Sequence, residues 1–383
     1  MSASAVVWTP EFLTYKLSPS HPLNPVRLDL TMRLARELGV LDDVEPMEPE
    51  SATEDDLLRV HDAEYLAAVQ AAPSEPFSAG RGLGTPDNPI FDGMHEASAL
   101  VCGGSLAAAR EIHSGRSDRA VNIAGGLHHA MRGHASGFCI YNDCAVAIAW
   151  LLEQGVQRIA YVDIDVHHGD GVQESFYDDP RVLTISLHQH PRTLFPGTGS
   201  PSEIGRGEAT GTSVNVALPP GTGDRGWLRA FHAVVPPLLA AFGPDVLVTQ
   251  CGADTHVEDP LANLQVSVDG HRASYQALRE LAGSTAGGKW LALGGGGYGL
   301  FGAVPRSWTH LLATVLDRDV DPETPLPDQW QRHAASLTDM PLPRAMTDHG
   351  KVDFEPWGSG SDPVDPAIRE ARRAVFPLNG LEP

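Results

Sequence analysis

Short apolar, β-branched runs recur along the chain, and most are followed by a stretch whose apolar positions repeat with helical spacing. The runs cover residues 120–123, 158–162, 182–187, 245–249 and 290–293. The helical patterns cover residues 27–38, 95–113, 145–154, 227–242, 270–282 and 303–316. Apolar strands alternating with helices predict a parallel sheet buried on both faces, an α/β architecture. The polar residues cluster where strands end, at Gly125-Gly126, Asp163 to Asp170, His188, Gly252-Ala253-Asp254 and Gly294 to Gly297. An open parallel sheet binds its ligands outside the carboxyl ends of its strands, so one sheet edge should carry the chemistry.

Residues 1–320 show no internal repeat and no linker, and read as a single domain. Residues 321–383 differ, since ten of the 31 prolines fall there and break every periodicity. An irregular, Pro-rich appendage packed on the domain is the expectation.

Composition narrows the function. With 49 acidic against 27 basic residues the net charge is −22, a field that repels a phosphate backbone and argues against nucleic acid as a partner. Cys102, Cys139, Cys144 and Cys251 form no C-x-x-C pair and lie in apolar or glycine-rich runs, as reduced cytosolic thiols do. The first eight residues lack the charged and apolar regions of a signal peptide, and no run approaches eighteen apolar residues. A cytoplasmic protein with no membrane partner is expected.

The densest polar cluster is Asp163-Ile164-Asp165-Val166-His167-His168-Gly169-Asp170, directly after an apolar strand. In an extended chain alternate side chains share a face, so Asp163, Asp165 and His167 should project to one side. Oxygen and nitrogen donors without thiolate suit Zn²⁺ or Fe²⁺, and a catalytic site needs about three protein ligands. Asp165 and His167 supply two, and Asp254, just past another buried strand, supplies the third. Any one of these could equally cap a strand end, but packing gives no reason for five ionisable side chains in one short run. His128-His129 follows Gly125-Gly126-Leu127 at the same edge, with Asp163 and Asp170 available to hold the two rings. A histidine–aspartate pair fixes the imidazole tautomer, as a general base acting on metal-activated water requires. The run Gly294-Gly295-Gly296-Gly297 lacks the context of a phosphate loop. It suits backbone passing close to a substrate, with Tyr298 presented as a hydroxyl donor to an oxyanion. Gly137-Phe138 and Phe195, in glycine-rich loops, suggest the walls of a narrow apolar channel.

These motifs, in this order, resemble the histone deacetylase superfamily and, within it, the bacterial acetoin-utilisation (AcuC-type) branch. The resemblance runs from about residue 22 to 316. It is carried by Gly-Gly-Leu-His-His, Ala-Ser-Gly-Phe-Cys-Ile-Tyr-Asn-Asp, Tyr-Val-Asp-Ile-Asp-Val-His-His-Gly-Asp-Gly, Phe-Pro-Gly-Thr-Gly, Gly-Ala-Asp and Leu-Gly-Gly-Gly-Gly-Tyr. It implies an arginase/deacetylase-like fold with an eight-stranded parallel sheet flanked by helices. It also implies metal ligation by Asp165, His167 and Asp254, a general base at His129 backed by Asp170, and His128 paired with Asp163. Tyr298 would face the transition state, with Gly137, Phe138 and Phe195 lining the tunnel. A structural K⁺ held by Asp163, Asp165, His167 and Ser186 with nearby carbonyls is implied as well. The reaction implied is hydrolysis of acetyl-lysine on a protein substrate, an acyl-CoA synthetase being one candidate partner. Two positions depart from the pattern. In the rim loop, residues 82–89, Pro86 stands where an acid is expected, which leaves Asp87 as the substrate-binding candidate. Leu127 replaces a larger aromatic, which predicts a wider cavity behind the metal. An acetylpolyamine amidohydrolase and a non-catalytic acyl-lysine module remain the alternatives; a dimanganese ureohydrolase would need more bridging carboxylates than Asp165 and Asp254.

Overall fold

Runs such as Ile159-Ala160-Tyr161-Val162 have no polar face to give to water, and the chain buries them in the middle of one sheet. A computed structural model describes residues 4–76 and 80–383. In chain order the elements are β1 Ser4–Val6, α1 Val26–Glu37, α2 Glu54–Leu57, α3 Ala63–Ala71, α4 Met94–His113, β2 Arg119–Asn122, α5 Asp143–Glu153, β3 Ile159–Asp163, α6 Asp170–Ser175, β4 Val182–Gln189 and β5 Ser213–Leu218. There follow α7 Asp224–Phe242, β6 Val246–Gln250, α8 Val268–Thr285, β7 Trp290–Leu293, α9 Ala303–Val315, α10 Asp328–Ala335 and α11 Asp365–Val375. All strand pairs are parallel, in the order β1-β2-β7-β6-β3-β4-β5. Every residue of β2 to β7 is buried, as a sheet covered on both faces by helices demands.

The described residues contain seven strands, not the eight expected. Beyond β1 there is only a single parallel bridge between Val7 and Met47. Pro46 and Pro49 flank Met47, and a proline has no N–H to extend a ladder. At the opposite edge α11 lies against β5.

The connection order positions the site. From β3 the chain moves outward through β4 and β5, then returns to place β6 on the other side of β3. Strand order reverses there, so the carboxyl ends of β3 and β6 diverge from their helices and leave a crevice. The adjacent ends of β7 and β2 complete its wall.

Residues 321–383 are more ordered than the irregular appendage predicted, since they contain α10 and α11. Trp330 on α10 is fully buried and its Nε1–H donates to the Leu30 carbonyl of α1 at 2.9 Å. Asp365 opens α11 and accepts from buried Arg229 at 2.7 Å. The four cysteines are free and buried. No helix among the described residues is long and apolar enough to cross a membrane; residues 1–3 of the N-terminal stretch read for a targeting signal lie outside them.

Candidate active site

β3 ends at Asp163, and the chain then bends, so strict alternation does not continue through His167. Asp163 therefore turns away from its two successors. Its Oδ2 accepts from Tyr161 Oη–H and His128 Nδ1–H, both at 2.7 Å. Asp165 and His167 converge instead on Asp254, beyond the end of β6. His167 Nδ1 lies 3.0 Å from Asp165 Oδ1 and 3.1 Å from Asp254 Oδ2. All three residues are buried, and one ligand atom of each lies within 4.8 Å of the others.

Neighbouring backbone and amide groups fix the two carboxylates. Asp254 Oδ1 accepts from Val166 N–H at 2.9 Å, and Asp165 Oδ2 accepts from Gln250 Nε2 at 2.7 Å and Gly296 N–H at 2.8 Å. At Gly296 a Cβ would stand 1.9 Å from Asp254 Oδ2, so the loop after β7 approaches this closely only because the residue is glycine.

The electrostatics show what the cluster lacks. Burial, and then the facing charge of Asp165, push the Asp254 carboxyl up to about 8. Burial alone would depress His167, but Asp165 and Asp254 outweigh it and raise the imidazole to about 10. Two buried carboxylates thus compete for one imidazole proton, and neither forms an ion pair with an arginine or lysine among the described residues. Three converging oxygen and nitrogen donors, whose two carboxylates stay this close only by retaining protons, fit a small divalent cation that would take the protons' place.

The loop from β2 brings His128 and His129 to this cluster. Asp143, the first residue of α5, accepts from Gly126 N–H at 3.0 Å and Leu127 N–H at 2.7 Å. Asn142 caps α5 through its Oδ1 and donates Nδ2–H to the carbonyls of His128 at 3.1 Å and Ala130 at 3.0 Å. The rings are then held from behind. His129 Nδ1–H donates to Asp170 Oδ1 at 2.7 Å, the counterpart of the His128–Asp163 bond. The two Nε2 atoms stand 3.1 Å apart, close enough to share one proton. Burial opposes charge on His128, yet Asp163 and Asp165 raise it to about 9. Burial, and then the neighbouring His128 charge, lower His129 to about 4, which keeps it neutral.

A channel of about 210 Å³ leads from the surface to this floor, with Phe138 and Phe195 among its walls and His129, His167 and Tyr298 at its base. Phe195, 44% exposed, marks the mouth. Gly137 has φ +52°, and a Cβ there would stand 2.4 Å from the His129 ring. Phe138, itself at φ 71°, is pinned by Tyr15, whose hydroxyl donates to the Phe138 carbonyl at 2.8 Å. The edge of His21 packs on the Phe138 ring at 4.5 Å, and His21 Nε2–H donates to the Asp87 carbonyl at 3.2 Å. The structure thus places Asp87 at the mouth, where it lines the channel. A larger open cleft of about 440 Å³ at the start of α7 contains none of these residues.

Tyr298 is buried, and burial followed by the charges of Asp254 and Asp165 keeps its hydroxyl protonated. Its backbone N–H donates to Asp259 Oδ2 at 2.8 Å. Ser186 lies beside Asp163 in the β3–β4 register, its hydroxyl 2.9 Å from His188 Nδ1. The space behind Leu127 is not wide: Leu23 and Cys139 close it to about 10 Å³. Sequence reasoning missed Asp143, Gln250, Asp259, Tyr15 and His21. For Asp143 a signal existed, since Asn142-Asp143 before an apolar helix is a helix-start pattern.

Three comparisons bear on this arrangement. Residues 21–315 match the model of the histone deacetylase domain. The chain belongs to the histone deacetylase family. It is 40% identical over 352 residues to the acetoin utilization protein AcuC of Bacillus subtilis (strain 168), covering 91% of this chain and 90% of that protein. It is 36% identical over 355 residues to AcuC of Staphylococcus aureus (strain MRSA252), with the same shares covered. A crystal structure of an HDAC homolog complexed with SAHA superposes with a TM-score of 0.86 at 30% identity, over 97% of this chain and 100% of that one. An HDAC homolog from Aquifex aeolicus gives 0.85 at 29%, with the same coverage. A histone deacetylase family member with AcuC-named relatives is a deacetylase, an enzyme of the hydrolase class, and its sheet is the arginase/deacetylase-like one.

Proposed function

We propose that this deacetylase removes the acetyl group from Nε-acetyl-lysine side chains of proteins. The observation that carries the reading is that a His129–Asp170 pair, the Tyr298 hydroxyl and the Asp165, His167 and Asp254 cluster meet at the floor of one narrow apolar channel. The lysine stem has four methylenes, and burial between Phe138 and Phe195 contributes about 0.8 kcal/mol for each. An acylated amine is neutral and sheds little hydration there, whereas a free ammonium would be costly to desolvate.

His129 Nε2 takes a proton from the attacking water, while Asp170 holds the Nδ1–H and so keeps the opposite nitrogen basic. Water oxygen bonds to the acyl carbon, and the carbonyl oxygen gains charge that the Tyr298 hydroxyl stabilises by hydrogen bonding. The carbon–nitrogen bond then breaks as His129 returns its proton to the departing amine, leaving acetate and free lysine. Zn²⁺ or Fe²⁺, held by Asp165, His167 and Asp254, would supply Lewis acidity toward the carbonyl and the water. Asp163 and Ser186 would belong to a structural K⁺ site at the adjacent strand ends.

Initial rates on a peptide with acetyl-lysine beside Lys or Arg, compared with N-acetylputrescine, test the substrate class. A higher kcat/KM for the peptide, abolished by a chelator, is the expected result. If the polyamine is the better substrate at every ionic strength, the protein reading falls in favour of an acetylpolyamine amidohydrolase.

A further inference from the structure

The loop after β6 contributes at three points to the site. Asp254 belongs to the three-residue cluster, Asp259 holds the Tyr298 backbone N–H, and Leu261 lines the channel. Residues 251–261 belong to no helix or strand, and side chains share the work of holding them with a few backbone bonds, such as Ala253 N–H to the Gly296 carbonyl at 2.8 Å and Val257 N–H to the Val266 carbonyl at 3.0 Å. Thr255 is fixed by the body of the domain. Its hydroxyl lies 2.6 Å from His271 Nε2 on α8, and His271 Nδ1 lies 2.9 Å from Ser307 Oγ on α9.

His256 is tied elsewhere. Its Nδ1 accepts from Glu258 N–H at 3.1 Å, so Nε2 carries the ring proton and donates it to Asp348 Oδ2 at 2.8 Å. Asp348 lies in the C-terminal segment, beyond the residues that match the family model. The same carboxylate accepts from Val268 N–H at 2.9 Å and from Arg306 Nη1 at 2.6 Å. Arg306 is only 1% exposed and sits on α9, a few residues after Tyr298, where its Nε–H also donates to the Gly302 carbonyl at 3.0 Å. Asp348 is itself seated, because Asp269 Oδ2 accepts from the N–H groups of Asp348 at 3.0 Å and Gly350 at 2.9 Å. One carboxylate from outside the family-matched region therefore joins the loop bearing Asp254 and Asp259 to the helix that follows Tyr298.

We infer that Asp348 is a positioning residue of the active site, through which the C-terminal segment sets the placement of Asp254 and Tyr298. The inference rests on the deacetylase roles proposed above for those two residues. Outer partners that orient ligands typically change metal affinity or activity by about 10- to 100-fold when removed. Because Asp348 also neutralises buried Arg306, Asp348→Asn alone would mix loop placement with global stability. His256→Leu separates the two, since it removes the ring donor to Asp348 and leaves the Arg306–Asp348 pair in place.

The test uses full-length wild type, His256→Leu, Asp348→Asn and the double variant, each loaded with Co²⁺. The visible Co²⁺ spectrum and titration midpoint are read beside kcat and KM on an acetyl-lysine peptide. The inference expects His256→Leu to melt within a few degrees of wild type, to shift the Co²⁺ band, and to lose about tenfold or more in Co²⁺ affinity or kcat with KM little changed. The double variant should lose no more than Asp348→Asn alone, because both cut one link. A His256→Leu protein with wild-type spectrum, affinity and kcat overturns the inference, even if Asp348→Asn fails to fold. If wild type deacetylates nothing while the Co²⁺ band still shifts in His256→Leu, the loop placement stands and the proposed function falls.

Discussion

His129 and His128 are sequence neighbours with opposite electrostatics, and the difference lies in what faces each ring. His128 has Asp163 behind it and Asp165 nearby, and is raised to about 9. His129 has one carboxylate, Asp170, behind it, and is lowered to about 4 by burial and by the His128 charge. The neutral ring, whose Nε2 carries no proton of its own, is the one suited to take a proton, while neither ring belongs to the Asp165, His167 and Asp254 cluster. His129→Ala should therefore lower kcat by at least about 100-fold and leave the metal content unchanged. Mass spectrometry of the intact holoprotein beside the rate assay checks both. Loss of the metal, or near-normal kcat, contradicts the role. At this scale the sequence was legible where a side chain does chemistry in an unusual run, as at Asp165 and His167. It was silent at Asp259 and Gln250, whose work is to hold a backbone N–H or a carboxylate brought near only by folding.

The helices and loops around the sheet are locked by buried histidines kept neutral. His61 donates Nδ1–H to the Met131 carbonyl at 3.0 Å and accepts from Asn142 N–H at Nε2, also at 3.0 Å. His310 on α9 donates Nε2–H to the Met346 carbonyl at 2.9 Å. Burial lowers His61 and His310 to about 4 and His271 to about 3. The unfolded chain takes up protons at these residues below about 6.5, whereas the folded chain does so only below about 4. Their contribution to stability is complete above pH 6.5 and is lost as pH falls toward 4. The slope is about 1.4 kcal/mol per pH unit for each histidine. Urea midpoints measured between pH 7.5 and 4.5 should fall below 6.5; a flat profile contradicts neutral burial. Element by element, the apolar runs of β2, β3, β4, β6 and β7 could be read directly. β5 could not, because Ser213 and Asn215 alternate with its valines and bond to half-buried Gln173 at 2.7 and 2.8 Å, which makes a buried strand look half polar. The helix α11 was hidden by surrounding prolines, although Ile368, Ala371 and Val375 keep helical spacing and are buried.

Over the whole molecule, a net charge of −22 surrounds a channel whose walls are apolar. Long-range attraction should then select basic sequence around the acetyl-lysine, while the channel selects only the neutral acyl group. The field is screened within about 8 Å at physiological ionic strength. Raising salt should lower kcat/KM for a peptide with flanking Lys or Arg and leave an uncharged acetyl-lysine peptide nearly unaffected. Equal salt dependence for the two would remove charge from the account of specificity. The parallel architecture was legible from strands alternating with helices, but the strand count was not, since it depends on whether a segment such as the one around Met47 can extend a ladder between two prolines.

The central claim is that the strand ends of β3 and β6 form one catalytic metal site. Anomalous diffraction from crystals of the protein grown with Zn²⁺, recorded on both sides of the zinc absorption edge, tests it most directly. The account predicts one strong peak at the channel floor, bounded by Asp165, His167 and Asp254, with the two rings of His128 and His129 outside its coordination. No peak there, or a peak ligated by the histidine pair, would contradict it.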